Sequence, residues 1–276
     1  MHYYDTVISG ASIIDGSGGK ACRADIGITG DRISNVGKIT DIQAHQKVDA
    51  TGLVVAPGFV DVHTHDDRVL IDEPGMLPKI SQGVTTVIAG NCGISLAPFR
   101  REDRPGENSP PGPMALLGNW NDYKYPSLAD YNASFDSAPA ACNVANLIGH
   151  STLRASVMNE FDRAATSNEM DVMLKSLENS LSSGAIGLST GLAYPTALHA
   201  PTEEVIQLCK SLKYFDAIYT THMRNEEDKL VEAVDETIDI ATQTGADTVI
   251  SHHKCAGRAN WGKSKNTLTR IFEAQQ

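Results

Sequence analysis

The feature that most constrains the fold is an alternation, from Leu53 onwards, of short apolar runs with longer segments of helical periodicity. The runs are LVVAPGFVDVHTH, GVTTVIAGNCG, CNVANLIGH, GAIGLSTGLAYP, DAIYTTHMRNE and DTVISHHKCAG. Continuous apolar runs are typical of strands buried on both faces, and their alternation with helices favours a parallel sheet covered by helices. The pattern predicts an α/β fold over residues 53–276, a TIM-type (β/α) barrel with about six of its eight strands.

The segments between the later runs predict amphipathic helices. NEMDVMLKSLENSLSSG has apolar residues near helical spacing and ends in glycine. TEEVIQLCKSLKYF begins with Thr202, and NEEDKLVEAVDETIDIATQTG begins with Asn225. Threonine and asparagine are common N-cap residues, so we expect Thr202 and Asn225 to cap these two helices.

Two other segments depart from the alternating pattern. Residues 1–52 contain β-branched runs broken by Gly and Asp, which predicts a small, sandwich-like β unit. Residues 96–126 are rich in Pro, Gly and charge, which predicts a long loop after the second strand of the barrel. Loops of this length are commonly lids or binding loops, the alternative being a surface insertion. We expect this loop to help set substrate preference.

Composition excludes several classes of function. The net charge of −11 argues against nucleic acid and anionic membrane surfaces as partners, since both need a basic face. The five cysteines are odd in number and form no CxxC pair, so a disulfide framework is not expected. The N-terminus does not have the pattern of a signal peptide, and no apolar stretch approaches the roughly 18 residues of a membrane span. These features predict a cytoplasmic protein, and they leave its oligomeric state open.

Polar residues of kinds that bind metals or substrates follow the apolar runs. In chain order they are His63 and His65, Cys92, His150, Tyr194, His222 and His252. In a parallel β/α barrel the carboxyl ends of the strands meet at one face, where active sites are built. We therefore expect these side chains to converge.

The spacing of His63 and His65 places both imidazoles on one side of a strand. Imidazole and thiolate are ligands that suit zinc. Taken singly, each residue also has a structural explanation, because strand-end histidines are often simply hydrogen-bonded and a lone cysteine often packs as a small hydrophobe. His253 should point away from His252 if the strand continues. The remaining histidines, His2, His45 and His199, are expected on the surface.

Several motifs give the chain a family resemblance. PGFVDVHTHDD, TTHMRNE and ISHHK resemble the amidohydrolase superfamily. Within it, AGNCG, GHSTLR, GLSTGLAYP, THMRNE and SHHKCAG resemble the N-acyl-D-amino-acid deacylases, or D-aminoacylases. The resemblance extends over nearly the whole chain.

This resemblance implies roles for particular residues. Cys92, His222 and His252 are the implied ligands of a tightly bound Zn²⁺, and His63 and His65 those of a weaker metal position. Tyr194, Arg224, Lys254 and His150 are the implied contacts of an N-acyl amino acid substrate, whose carboxylate an Arg or Lys can bind. For Arg224 and Lys254, a salt bridge within the protein is the alternative.

The implied reaction is zinc-dependent hydrolysis of an N-acyl-D-amino acid to a carboxylic acid and a D-amino acid. In the family an aspartate closing the eighth strand transfers the proton, and six runs leave no position for it here. Asp66 and Asp67 do not replace it, since the family has aspartates there too. We therefore expect a fragment whose catalytic residue lies outside this sequence. The acyl group, the side chain and the D or L selectivity cannot be inferred from these residues.

Two alternative functions stay open. The first alternative to the deacylase is a truncated zinc-binding protein without turnover. The second is a cyclic-amide hydrolase of the dihydroorotase or hydantoinase kind. Cyclic-amide hydrolases usually bridge two metals with a carboxylated lysine on the fourth strand. The run GAIGLSTG has no lysine, and Cys92 offers another bridge, which favours the deacylase.

Overall fold

A computed structural model describes residues 3–40, 43–100 and 108–276 of the chain. It divides into two compact units, Met1–Phe59 and Val60–Gln276. The division falls a few residues after the predicted boundary at 52, because the short strand β5 (Val54–Val55) pairs with the first strand of the chain. His2 lies outside the described residues.

The first unit is built on a mixed β-sheet. Its strands are β1 (Tyr3–Ile13), β2 (Cys22–Thr29), β3 (Arg32–Gly37) and β4 (Gln43–Asp49) in the order β3-β2-β1-β4, with β5 also on β1. The β1–β2 and β2–β3 pairs are antiparallel, whereas β4 and β5 run parallel to β1. Ala11, Ile13, Ile26 and Ala50 form the buried cluster of this unit.

The second unit contains a six-stranded sheet with the strands in sequence order. They are β6 (Phe59–Asp61), β7 (Val84–Ala89), β8 (Asn143–Gly149), β9 (Gly187–Gly191), β10 (Ile218–His222) and β11 (Thr248–Ile250). Every pair from β7 to β11 is parallel. The predicted α/β architecture with six barrel strands is therefore confirmed.

Eight helices follow or connect these strands among the described residues. They are α1 (Val69–Asp72), α2 (Leu77–Ile80), α3 (Leu128–Ala133), α4 (His150–Val157), α5 (Ser167–Ser182), α6 (Thr202–Leu212), α7 (Leu230–Thr244) and α8 (Ser264–Ala274), with 3-10 turns at Gly112–Leu116, Lys213–Phe215 and Arg258–Asn260. No helix in the described ranges is long and apolar enough to cross a membrane.

Local sequence explains some of the helix boundaries. The Thr166 side chain caps α5 in a reciprocal box with Glu169, and Met173, Leu177 and Leu181 bury one face at helical spacing. The α7 helix ends at Thr244, and its C-cap is Gly245, which has a φ of 65°.

The two predicted N-caps, Thr202 and Asn225, are wrong. Thr202 is the first residue of α6, and its hydroxyl donates to the Glu236 carboxylate at 2.8 Å. The Asn225 side chain accepts hydrogen bonds from the backbone of Glu227 and Lys229, which makes a turn before α7 begins. Thr202 already lies within α6, whose N-cap is Pro201, and Asn225 lies five residues before the first residue of α7, so neither occupies the capping position.

Several large side chains of the predicted loop at 96–126 are packed into the core. Phe99 stacks on Trp120 with ring centroids 5.5 Å apart, and Tyr123 meets both rings edge-on. The Tyr123 hydroxyl donates to the carbonyl of Met114 at 2.7 Å. These residues belong to the same buried cluster as the sheet and α4–α6, so the described part of the segment is not a loose surface insertion. Residues 101–107 lie outside the described ranges.

Candidate metal centre

The ends of four strands bring together four of the predicted site residues. His63 follows β6, Cys92 follows β7, His222 ends β10, and His252 follows β11. The rings of His63 and His252 are 4.9 Å apart, and those of His222 and His252 are 4.5 Å apart. The expected convergence at the carboxyl ends of the strands is observed for these residues.

Cys92 lies between two of the histidines. Its Sγ is 3.3 Å from Nε2 of His63 and 3.4 Å from Nε2 of His252. The three donor atoms lie within 4.8 Å of one another. One sulfur and two imidazole nitrogens at this separation form a donor set suited to zinc.

A second group shares His252. Nδ1 of His252 lies 3.1 Å from Oε1 of Glu226, and Nε2 of His222 lies 3.5 Å from Oε2 of the same carboxylate. The ligand atoms of His222, Glu226 and His252 also lie within 4.8 Å of one another. The structure thus groups Cys92 with His63, whereas the motifs group it with His222; His252 belongs to both groups.

Glu226 is a member of the site that the sequence patterns did not reveal. It lies four residues after His222 within the THMRNE motif, and only 9% of it is exposed. Its Oε2 is 2.5 Å from Nζ of Lys254. The sequence did offer one indication of this role, which is the presence of an acidic residue four positions after the predicted ligand His222. The helical pattern of NEEDKLVEAVDETIDIATQTG places that residue at the start of the following helix instead.

Glycines shape the loop that carries Cys92. Cys92 has a φ of 54°, and the flanking Gly90 and Gly93 have φ values of 79° and 78°. A Cβ on Gly93 would lie 2.6 Å from the backbone nitrogen of Gly191. The Ser189 hydroxyl accepts from the Gly93 N–H and donates to the Gly90 carbonyl, which ties this loop to β9.

Two histidines follow β6 and lie beyond its end. The Asp61 carboxylate accepts the His63 backbone N–H at 3.3 Å, a local turn that ends the strand before His63 and His65. Their rings are perpendicular, with centroids 5.6 Å apart. His65 joins neither donor group, yet its Nδ1 is buried and lacks a hydrogen-bond partner among the described residues. An orphaned buried nitrogen beside these donor groups is compatible with a further ligand.

The side chain of Lys79 stabilises the turn after β6. Nζ of Lys79 donates to Asp61 at 2.6 Å and to the Thr64 hydroxyl at 3.3 Å, and it lies 2.9 Å from the Asp66 carboxylate. The neighbouring Asp67 is buried, and burial raises the pKa of its carboxyl to about 7. Its Oδ2 accepts from the Gly90 N–H, so this residue supports the Cys92 loop.

The electrostatics favour neutral imidazoles. Burial, followed by the neighbouring imidazoles, lowers the pKa of His63 to about 4. Burial likewise lowers the pKa of His222 to about 4 and lowers that of His65. Neutral imidazole is the form that binds metals. Burial and the Glu226 carboxylate raise the pKa of the Cys92 thiol to about 12, so its thiolate needs a nearby cation such as a divalent metal. The residues present therefore fit a zinc ion.

Two of the expected substrate contacts adjoin these groups. The Tyr194 hydroxyl is 3.2 Å from Nδ1 of His222. Nζ of Lys254 is 3.0 Å from Nδ1 of His252, and about half of its side chain is exposed.

The other two expected contacts are engaged elsewhere. The Arg224 guanidinium donates to the Glu236 carboxylate and to the carbonyls of Leu198 and Ala200. His150 is fully buried, with Nε2 2.9 Å from the Glu204 carboxylate, which also pairs with Arg154. These bonds give both residues structural partners, and their contact with substrate stays a prediction.

Three other histidines lie outside the two donor groups. Nε2 of His253 bonds with the Thr267 hydroxyl of α8 at 2.8 Å, whereas Nε2 of His252 lies 3.4 Å from the Cys92 sulfur. The prediction for His253 assumed that the strand continues, but β11 ends at Ile250. His45 and His199 are exposed, as predicted.

Comparison with known proteins identifies similar chains. The chain is 48% identical over 271 residues to D-aminoacylase of Alcaligenes xylosoxydans xylosoxydans, covering 98% of this chain and 55% of that protein. It superposes with a TM-score of 0.93, at 44% identity, on a structure of D-aminoacylase, and the match covers 99% of this chain and 56% of that chain. That structure concerns the functional role of a binuclear metal centre, with activation by one metal and attenuation by the second. The chain superposes with a TM-score of 0.92, at 40% identity, on N-acyl-D-glutamate deacylase from Bordetella bronchiseptica complexed with zinc and a phosphonate inhibitor, with the same coverage.

The chain spans about half the length of the relatives it matches. The sequence pattern of the amidohydrolase family nevertheless matches residues 46–267, a range that takes in every strand from β6 to β11 and all the donors of the two metal groups. With its motifs, its strand order and its donor groups in agreement, the chain belongs to the amidohydrolase family.

Proposed function

We propose that this chain supplies the metal-binding part of a zinc-dependent deacylase that hydrolyses the amide bond of N-acyl-D-amino acids. The observation that carries the proposal is the position of Cys92, whose Sγ lies within 3.4 Å of nitrogen atoms on two histidines from other strand ends. The names of the relatives support the substrate class, since they deacylate D-amino acid derivatives.

The proposed ligands keep the two positions suggested by the motifs. Cys92, His222 and His252 would hold the tightly bound Zn²⁺, and His63 and His65 a weaker one. The close approach of Cys92 to His63 supports a thiolate that serves both positions. When bound, zinc polarises the acyl carbonyl and lowers the pKa of a water molecule.

The chain's own residues would orient the substrate beside these ligands. Tyr194 and Lys254 are proposed as substrate contacts, because each lies within 3.2 Å of a ligand histidine and neither is fully buried. Lys254 can attract the substrate carboxylate from its partly exposed position. Arg224 and His150 would contribute to the site indirectly. Each would stabilise the surrounding structure through its bond to a glutamate, Glu236 for Arg224 and Glu204 for His150.

We assign no proton-transfer residue within the described part of the chain. Asp66 and Asp67 lie next to the ligands, but Asp66 pairs with Lys79 and Asp67 accepts from the Gly90 backbone. The resemblance places the aspartate that transfers the proton after an eighth strand, and the sheet has six.

The cyclic-amide alternative has less support. Enzymes of that kind usually bridge two metals with a carboxylated lysine on the fourth barrel strand, and β9 (Gly187–Gly191) consists of GLSTG. Cys92 occupies the space between histidines from separate strands instead.

The test combines zinc content with amide hydrolysis. The protein is loaded with Zn²⁺, dialysed and assayed for release of free amino acid from N-acetyl-D-amino acids, their L enantiomers and a hydantoin. We expect the 276-residue chain to bind Zn²⁺ without turnover, since no proton-transfer residue is assigned within its described part, and we expect turnover of the D substrates by a protein that also has the remaining length of the relatives. Cys92→Ser should lose zinc in both proteins and turnover in the longer one. Cys209→Ser is the matched control, because Cys209 is equally buried but lies on α6.

Each component of the proposal has its own contradicting result. Zinc retained by Cys92→Ser as in Cys209→Ser would overturn the ligand assignment. Hydrolysis of the hydantoin in preference to N-acyl-D-amino acids would favour the cyclic-amide alternative. Zinc binding without turnover of any of these amides by the longer protein would favour a zinc-binding protein that is not an enzyme.

A further inference from the structure

Glu226 is a buried carboxylate beside the histidine that the two donor groups share. Oε1 lies 3.1 Å from Nδ1 of His252, and Oε2 lies 2.5 Å from Nζ of Lys254. Its backbone carbonyl separately accepts from the Ala256 N–H at 2.8 Å, which joins the loop after β10 to the loop after β11. This backbone hydrogen bond does not involve the carboxylate, so a substitution of the Glu226 side chain should leave the contact between the two loops in place.

The two ring nitrogens of His252 have different neighbours. Nε2 lies 3.4 Å from the Cys92 sulfur, whereas Nδ1 faces the Glu226 carboxylate. A neutral imidazole carries one proton, and an ionised carboxylate only accepts hydrogen bonds. The contact with Glu226 is favourable only when the proton is on Nδ1, and this leaves the lone pair of Nε2 directed toward Cys92.

Lys254 introduces a competing arrangement. Its Nζ lies 3.0 Å from the same Nδ1, and an ammonium group can only donate. Lys254 alone would favour an unprotonated Nδ1 and a proton on Nε2, which would prevent Nε2 from binding a metal. Because Oε2 of Glu226 accepts from Lys254 while Oε1 faces Nδ1, one carboxylate can satisfy both donors.

We propose that Glu226 is a positioning residue that keeps the proton of His252 on Nδ1 and thereby presents Nε2 as a ligand beside Cys92. The inference rests on the proposed function, because it assigns His252 to the metal. A carboxylate that accepts from the second nitrogen of a ligand histidine fixes the orientation of the ring, and its loss typically weakens metal binding about 10- to 100-fold.

The first measurement is the affinity for Zn²⁺ alone, by competition with a chromogenic chelator. Glu226→Ala should bind Zn²⁺ at least about 10-fold more weakly than the unchanged protein. Glu226→Gln should recover part of this loss, since its amide oxygen can still accept from Nδ1. Glu227→Gln is the matched control, as Glu227 is the adjacent residue and is exposed.

The second measurement reports the tautomer of His252 in the metal-free protein. Two-bond ¹H–¹⁵N spectra of the imidazoles, recorded above neutral pH and assigned with His252→Asn, should show the proton on Nδ1. Lys254→Met should leave this tautomer in place, whereas Glu226→Ala should not.

The results separate this inference from the proposed function. A proton on Nε2 in the unchanged protein, or equal Zn²⁺ affinity in Glu226→Ala and Glu227→Gln, would overturn the role of Glu226. If Glu226→Ala does not fold, the spectrum of the unchanged protein decides alone. Absence of Zn²⁺ binding by the unchanged protein would instead overturn the metal site, whichever tautomer is found.

Discussion

His252 and His253 are adjacent in the chain and have their rings in different environments. His252 places Nε2 3.4 Å from the Cys92 sulfur, while His253 bonds with Thr267 of α8. His252 has a φ of 36°, a left-handed conformation that is uncommon for a residue with a side chain. Two neighbouring histidines thus offer a direct comparison of a candidate ligand with a histidine that packs against a helix.

This pair gives the first prediction. His252→Asn should lower bound zinc below one ion per chain, because His252 belongs to both donor groups. His253→Asn should keep the metal and lose only the bond to Thr267, at a cost of about 1 kcal/mol in the free energy of unfolding. Metal analysis after dialysis, together with urea unfolding, checks both. Equal zinc contents in the two variants would contradict the assignment of His252.

The second prediction concerns Gly93. Alanine at this position should be strained by its positive φ and should also meet the backbone nitrogen of Gly191. Gly16→Ala is the control, since Gly16 has a similar φ of 82° and open space around it. We expect Gly16→Ala to cost about 1–2 kcal/mol and to keep zinc. Gly93→Ala should cost more and lose zinc by displacing Cys92. Retention of zinc by Gly93→Ala would contradict this prediction, because it would show that the Cys92 loop tolerates a side chain at position 93.

The third prediction concerns Lys79, which bonds with Asp61 and Thr64 behind the two histidines after β6. Lys79→Met should weaken binding of a second metal, with little effect on the first, because it loosens the turn that carries His63 and His65. Titration with Zn²⁺ beyond one equivalent measures this, with exposed Lys175 on α5 changed to Met as the control. Identical titrations of the two variants would count against a role for Lys79.

The fourth prediction concerns the buried Glu204. Burial would raise the pKa of its carboxyl, but the bonds to His150 and Arg154 outweigh it and lower the pKa to about 2. Glu204→Gln leaves Arg154 buried without its counter-charge, which should cost about 3–5 kcal/mol. Exposed Glu203, changed to Gln, is the control.

The pH dependence of this effect follows from the lowered pKa. The folded protein binds the proton of Glu204 more weakly than the unfolded chain, in which the carboxyl has its ordinary pKa of 4.5. The stabilisation by the carboxylate is complete above pH 4.5 and declines as the pH falls toward about 2. The difference in urea midpoint between the unchanged protein and Glu204→Gln should therefore narrow across that interval. A difference in urea midpoint that stays constant or widens as the pH falls would contradict the lowered pKa of Glu204.

The periodicity of the sequence determined the succession of strands and helices, because burial on both faces requires continuous apolar runs. It also placed the polar residues at the strand ends, since parallel strands bring their carboxyl ends to one face. Convergence of His63, Cys92, His222 and His252 was predictable on that basis. The orientation of His253 did not follow from strand alternation, because β11 ends at Ile250 and His252 has a left-handed φ.

Tertiary structure decided which side chains meet. The partners of Arg224 and His150 are glutamates on α7 and α6, and no local pattern indicates those pairings. The role of Glu226 depends on two loops that bring it to His252, 26 residues further along the chain. The pairing of Cys92 with His63 depends on the positive φ angles of the AGNCG loop. Sequence spacing sets the position of a residue along its strand or helix, but contacts between loops depend on backbone angles and packing that only the folded chain fixes.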